Sequence, residues 1–598
     1  MLAPFATDPT KKPLRQPCAI ESKRFLQDLR GRRSLEHGSI IPTTDAPAIQ
    51  EHDEVDAELL QAAHLWNQSL PVNQLPNELL IRIFLLLVSR GKGTHNPAWV
   101  KLMLVCRYWR DVALATPGIW RSIDIGLNAD WTDLALTRSD PATIDIYMRP
   151  KYISREQFRL IYPHAHRIRR LRFYGGIDPQ WSAALHTLFD PGMPALETLT
   201  LSINPNRWPK PVQSTYIDIQ LSSKQSPRLQ MLSLSHVVMP RDPLLLSKLH
   251  TLTLKKCECD YSLDQFLDIL SSCSMLRKLC LLSFLNNLTG NWPSHPIAQR
   301  PPISLPQIVA VVLGHHPPRH SSHFLAHLLL PATTHLVVHA DVPIHGQEDS
   351  THSLLDVIPP NRTTVLPVLR AVTKAELHAR RNGYYLRGAT LRSGEKYPLE
   401  LGYHPALNNP WDTGPGRRDL LLRGLADLVL VFQVAALRCL SIRGLSVAVT
   451  HAKWREILNA FPRLKELRVN DDGPMVALVG ALQSESSLAL SSISGHDAGR
   501  RSNSMLPCPQ LRFLALELEC DMYGPFLDMV LDCVHRRAEK GSQLNKLELR
   551  SFSPADAVEE DWTPFVRGLE GLVPDVCYIP QPDTILAIAL LNSILLDS

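Results

Sequence analysis

The sequence predicts an α/β chain: a small all-helical module near residue 80, followed by an irregular solenoid of strand–helix repeats. Three observations carry that prediction. Residues 75–110 concentrate apolar side chains between helix-start and helix-stop signals, one apolar spacing recurs from residue 168 to residue 549, and helix-periodic apolar sets lie between several of its recurrences.

Leu75-Pro76-Asn77-Glu78-Leu79-Leu80 opens the module. Pro76 suits a first helical turn, where its missing donor would be unpaired anyway, and Glu78 sits favourably against the positive end of the helix dipole. Leu79, Leu80, Ile83, Phe84 and Leu87 then paint a stripe more than half a turn wide. Asn96-Pro97 signals a second helix carrying Leu102, Val105, Cys106 and Trp109, and Thr116-Pro117 stops it ahead of Trp120 and Ile123. Roughly fifty residues make a marginal core, so a face this apolar calls for an associated chain. An ordinary capped helical hairpin is the plainer reading.

These residues resemble an F-box. The family's Leu-Pro-x-Glu-Leu-x-x-x-Ile-Phe, Val-Cys-x-x-Trp and Pro-x-x-Trp are matched by Leu75, Pro76, Glu78, Leu79, Ile83, Phe84, Val105, Cys106, Trp109, Pro117 and Trp120, over residues 70–125 and with a longer loop at Ser89–His95. The resemblance implies a docking module for the Skp adaptor of a cullin-containing SCF ubiquitin ligase. Its contacts are expected on Leu75, Pro76, Glu78, Leu79, Ile83, Phe84, Leu87, Cys106 and Trp109.

The downstream spacing is apolar-x-x-Leu-x-apolar. It appears as Ile168-Leu171-Phe173, Leu196-Leu199-Leu201, Leu229-Leu232-Leu234, Leu249-Leu252-Leu254, Leu276-Leu279-Leu281, Ile308-Val311-Leu313, Leu437-Leu440-Ile442, Leu464-Leu467-Val469, Leu511-Leu514-Leu516 and Leu544-Leu547-Leu549. The first six middle residues are 28, 33, 20, 27 and 32 positions apart, which resembles a divergent leucine-rich repeat. Pro194, Pro227, Pro462 and Pro509 each stand two residues ahead of a repeat leucine, where a lost donor does least harm. Ser262 with Gln265 makes a capping box ahead of Leu263, Phe266, Leu267 and Leu270; Trp454, Ile457, Leu458 and Phe461, and then Phe526, Met529, Val530 and Cys533, repeat the helical spacing. A stack of such units buries a face that one unit cannot.

Around these lie a scattered-proline segment at 1–50 expected to be disordered, a lead-in helix at 51–69 that either braces the module or stands alone, an atypical insertion at 343–436 within a repeat domain spanning 126–582, and an apolar C-terminal cap at 583–598. Arg380–Gly383 and Thr413–Arg418 read as solvated turns, and Gly290–Pro306 as a proline-rich excursion.

The charge balance of 63 basic against 58 acidic residues, with no dense basic face, argues against nucleic acid; a helix-turn-helix carrying Arg107 and Arg110 is the weaker alternative. Eleven scattered cysteines and the lack of a secretory or membrane-spanning segment suggest the cytoplasm or nucleus. Nine histidines crowd His315–His352, but Pro317 and Pro318 interrupt His316/His320, and His323/His327 lacks a third ligand, so no metal and no cofactor is expected. Phosphate-loop, nucleophile-elbow and zinc-protease motifs do not occur, and the expectation is a non-catalytic chain. Its expected role is to recognise a protein target, with a scaffold that does not lead to degradation as the alternative. The face offered to that target is expected to include Arg170, Arg172, Tyr174, Lys255, Lys278, Glu466 and Arg468, basic early and mixed later, where Lys546, Glu548 and Arg550 follow.

Overall fold

The computed structural model describes residues 60–580 apart from 90–96, 126–127, 150–154, 176–178, 204–215, 291, 293–299, 343–352, 381–382, 391–396, 406–416, 445–448, 472–474, 485–505, 519–523 and 552–561. The expected disordered segment, the start of the lead-in helix and the C-terminal cap therefore lie outside the described residues. The rest is mixed α/β and divides into two compact units.

The first unit runs to Gly175 and also takes Met193–Leu196. A helix covers 60–69, α1 spans Asn77–Ser89, and α2 spans Arg107–Leu114. The second helix expected from Asn96-Pro97 is broken in two. A 3-10 segment covers Pro97–Leu104, and Cys106 is extended at φ −158°, ψ 169° before α2 begins. That break turns the Trp109 ring onto Phe84 of α1, with centroids 5.1 Å apart. A turn at Pro117–Arg121 then leads into β1 (Ser122–Ile125), α3 (Ala129–Arg138), β2 (Ile144–Met148) and β3 (Ile168–Gly175). Strands β1, β2 and β3 pair parallel in order. Arg121 ties the module to this sheet through Thr143, reaching its carbonyl at 2.9 Å and its hydroxyl at 2.7 Å. Trp120 is buried and donates its indole N–H to the Ala113 carbonyl at 2.8 Å, between Trp99 and Trp131.

The second unit takes the helix Pro179–Phe189 and then β4 (Thr198–Ile203), β5 (Met231–Ser235), β6 (Thr251–Lys255) and β7 (Lys278–Leu282). It continues with the short β8 (Ile303–Ser304), then β9 (Ala310–His316), the short β10 (Leu328–Leu329) and β11 (His335–Val342). Strands β4, β5, β6, β7, β9 and β11 pair parallel, one after another. One register row runs Leu199, Leu232, Leu252, Leu279, Val311, so the middle residues of successive repeats lie side by side in the core. The expected proline-rich excursion at 290–306 contributes β8, which pairs parallel with β10.

The turns after these strands also repeat. His236, Lys256, Ser283 and His315 all take positive φ, between 48° and 59°, and the first three donate N–H to Lys255, Leu282 and Gly314 carbonyls one strand further on. Helices return between strands. Leu263–Ser272 carries the full Ser262–Gln265 capping box and buries Phe266, Leu267, Ile269 and Leu270.

The interval 343–436 holds a three-stranded meander: β12 (Lys374–Arg380), β13 (Gly383–Ala389) and β14 (Leu399–Pro405). The middle strand is antiparallel to both neighbours, β14 pairs parallel with β11, and β12 pairs parallel with β15 (Cys439–Arg443). The meander thus enters the sheet in reversed order and leaves its direction unchanged on either side. Helix Arg417–Phe432 packs against it at Gly424, where a Cβ would come within 2.8 Å of Leu377 and 3.0 Å of Tyr384. Parallel pairing then resumes through β16 (Glu466–Asp471), β17 (Phe513–Leu518), β18 (Lys546–Ser551) and β19 (Asp575–Pro580).

Candidate functional site: an apolar face on the N-terminal helices

Helix α1 is apolar nearly all round, and the structure divides that surface in two. Leu80 and Phe84, four residues apart, point inward and are 0% exposed. Leu79, Ile83 and Leu86 stand on the other side in solvent, Leu86 at 57%, and Leu85 and Leu87, off that side, are also exposed. Leu104 at 74% and Val105, from the end of the 3-10 segment and the break before α2, are exposed as well. Isolated exposed leucines are ordinary, but seven large aliphatic side chains exposed between α1 and α2 are the kind of surface that marks an interaction site.

The inner side is built from α2. The Trp109 indole N–H donates to Asn73 Oδ1 at 2.5 Å, and the Tyr108 hydroxyl donates to Asn77 Oδ1 at 2.7 Å. These bonds fix the chain entering α1 while the Trp109 ring covers Phe84. The backbone N–H groups of Leu79 and Leu80 close the first turn onto the Pro76 carbonyl.

Of the residues expected to dock a partner, Pro76, Glu78, Leu79, Ile83 and Leu87 are exposed, whereas Leu75, Cys106 and Trp109 are half-buried. Phe84 is the correction. Its ring lies in the module's own core against Trp109, so it shapes the exposed face and does not belong to it. Leu86 and Leu104 were not among the expected contacts. A helical-wheel division of α1 into an 80/84 side and a 79/83/86 side was the signal that could have found Leu86; nothing in the local pattern marked Leu104.

The residues expected to meet a target are distributed over both units. In the first, Asp145 receives Arg169 in a two-pronged pair at 2.9 and 2.6 Å, while Arg170 is 4.0 Å away. Arg172 lies over the Tyr147 ring at 5.3 Å, and Tyr174 is exposed. In the second, Lys255 and Lys278 are exposed on neighbouring strands, and Arg468 pairs with Glu466 at 2.7 Å. Sequence reasoning missed the polar chemistry of the meander. Glu400 accepts from His339 at 3.0 Å and from Arg387 at 2.9 Å, and these bonds hold its carboxyl down at about 2.

Elsewhere several cysteines and histidines serve the core. Burial pushes the Cys257 thiol up to about 12 and Cys273 to about 11, and it presses His316 down to about 3 and His327 to about 4. His316 donates Nε2–H to the Leu281 carbonyl at 3.0 Å. Among the described residues, no group of three or more His, Cys, Asp or Glu is placed to hold a metal ion, and no helix is long and apolar enough to cross a membrane.

Comparison with curated proteins finds no match. Comparison with protein families finds one over this module: residues 72–126 match the F-box-like family, whose members generally bind Skp-type adaptors.

Proposed function

We propose that this chain is the substrate-recognition subunit of an SCF-type ubiquitin ligase. The exposed face of Leu79, Ile83, Leu86, Leu87, Leu104 and Val105 docks a Skp-type adaptor, which links the chain to a cullin. The strand–helix repeats, read as a divergent leucine-rich repeat solenoid, hold a protein target. The observation that supports this most is the division of α1 into a sealed inner side and an aliphatic outer side within the segment that matches the F-box-like family.

The chain supplies no reacting group in this reading. Holding a target lysine beside a ubiquitin thioester carried by another subunit raises its effective concentration, and that alone accelerates transfer. Each outward leucine covered by the adaptor contributes roughly 2 kcal/mol.

The test is co-purification of a Skp-type adaptor with the wild-type chain and with Ile83→Asp/Leu86→Asp. Wild type should retain the adaptor and the double variant should lose at least about 95% of it, because two buried carboxylates without partners cost several kcal/mol. Equal recovery from both would reject the docking site.

A further inference from the structure

We propose that the outward face of β12, β13 and β15–β18 docks an extended, carboxylate-rich peptide segment of the target; this rests on the target-binding reading above and gives it a chemistry. Along these strands, leucine, isoleucine and valine side chains alternate inward, leaving three outward register rows. The central row runs Arg387, Glu376, Ser441, Arg468, Ala515, Glu548 across β13, β12, β15, β16, β17 and β18. The row before it carries Lys374, Cys439, Glu466, Phe513 and Lys546; the row after it carries His378, Arg443, Asn470, Glu517 and Arg550.

Six lysines and arginines stand against four glutamates in these rows, and the paired ones lie at different depths. The Glu376 side chain is 9% exposed and its partner Arg443, 3.9 Å away, is 54% exposed. Glu466 is 27% exposed under Arg468 at 48%, and Glu548 at 7% under Arg550 at 32%. In these three pairs the carboxylate sits deeper than the guanidinium, whereas Asp575 on the neighbouring β19 stands 58% exposed beside Lys546 at 39%. A guanidinium has five N–H donors in a planar fork, and each of these pairs uses only one side of it. An approaching segment therefore meets cationic donors first.

Aromatic rings lie flat among them. Arg468 is 4.7 Å from the Phe513 ring centre, with Lys546 at 5.8 Å from the same ring, and Arg387 lies 4.5 Å from Tyr385. Arginines stacked in this way lose little side-chain freedom when they bind an anion. Within the same unit the matching central row over β4–β7 reads Thr200, Ser233, Thr253, Cys280, without charge, and the rows on either side of it carry only Lys278 and Lys255 as charged residues. Six strands at about 4.8 Å spacing span roughly 24 Å, the length of about seven extended residues.

The test is an array of octapeptides carrying zero to four glutamates on a Gly/Ser/Phe background, with lysine counterparts and an oligo(U) spot, probed with the full chain. Capture should rise about tenfold with glutamate number and fall as salt is added. It should drop about tenfold for Arg443→Gln/Arg468→Gln. Should that variant unfold because Glu376 loses the guanidinium of Arg443, Lys374→Gln/Lys546→Gln removes exposed charge without taking a partner from a buried acid, and the same drop is expected. Capture that ignores glutamate number, favours lysine peptides or favours oligo(U) would overturn the proposal, as would unchanged capture by folded variants. Adaptor co-purification, scored on the same preparations, separates a failure of this face from a failure of the docking reading.

Discussion

Phe84 and Leu86 are two residues apart on one helix and do opposite work. Phe84 fills the space beneath Trp109, so Phe84→Ala opens a cavity and should cost about 3–4 kcal/mol in denaturant unfolding. Leu86 already stands in water, and Leu86→Asp should change stability by less than about 0.5 kcal/mol while abolishing adaptor recovery. The two variants therefore separate folding of the module from docking by it. Trp109 is tied to both: its N–H holds Asn73 and its ring covers Phe84. In the second unit Arg537 is the comparable single residue. It is fully buried and donates to the Pro507 and Cys508 carbonyls at 3.0 and 2.8 Å. Arg537→Met strands two buried acceptors and should lower stability by about 2–3 kcal/mol, read from the unfolding midpoint.

Helices and strands behave according to what they pack against. Helix Arg417–Phe432 approaches the meander closely enough that only a hydrogen fits at Gly424, and Gly424→Val should cost about 1–3 kcal/mol by forcing Leu377 and Tyr384 aside. The histidine-rich helix Pro318–Ala326 and the strand end before it carry a pH dependence. His316 is neutral in the fold and charges readily once unfolded, so its contribution is complete above pH 6.5 and is lost as the pH falls towards 3. At pH 5 the loss is about 2 kcal/mol, and His316→Gln should flatten that part of a thermal-midpoint profile. Each of the ten repeated triplets places its last two residues on a strand, and the capping box at Ser262 stands as the sequence implied, because both are local patterns whose periodicity equals the geometry they produce. The meander was illegible for the converse reason. Its strands owe their places to partners far along the chain, β14 to β11 and β12 to β15, and no short-range spacing encodes a reversed order. The break at Cys106 was hidden in the same way, since Leu102, Val105 and Trp109 keep helical spacing across a residue that is extended.

On the scale of the whole molecule, two surfaces of opposite chemistry follow from the same alternation of inward and outward side chains. The N-terminal helices expose aliphatic groups that water does not favour, and the strands from β12 to β18 expose guanidinium groups held above buried acids. The proposed role needs both to be occupied by different proteins, one common to many ligases and one particular to this chain. The alternating pattern made the repeats and the module visible in the sequence. The depth of each charge and the side of α1 that faces water were not, because both are set by tertiary packing. The most direct measurement of the central claim is hydroxyl-radical footprinting of the full chain with and without a Skp-type adaptor. Leu86 and Leu104 should be oxidised in the free chain and protected by the adaptor, with Leu80 and Phe84 unreactive in both states; equal oxidation of Leu86 and Leu104 with and without the adaptor would contradict the account.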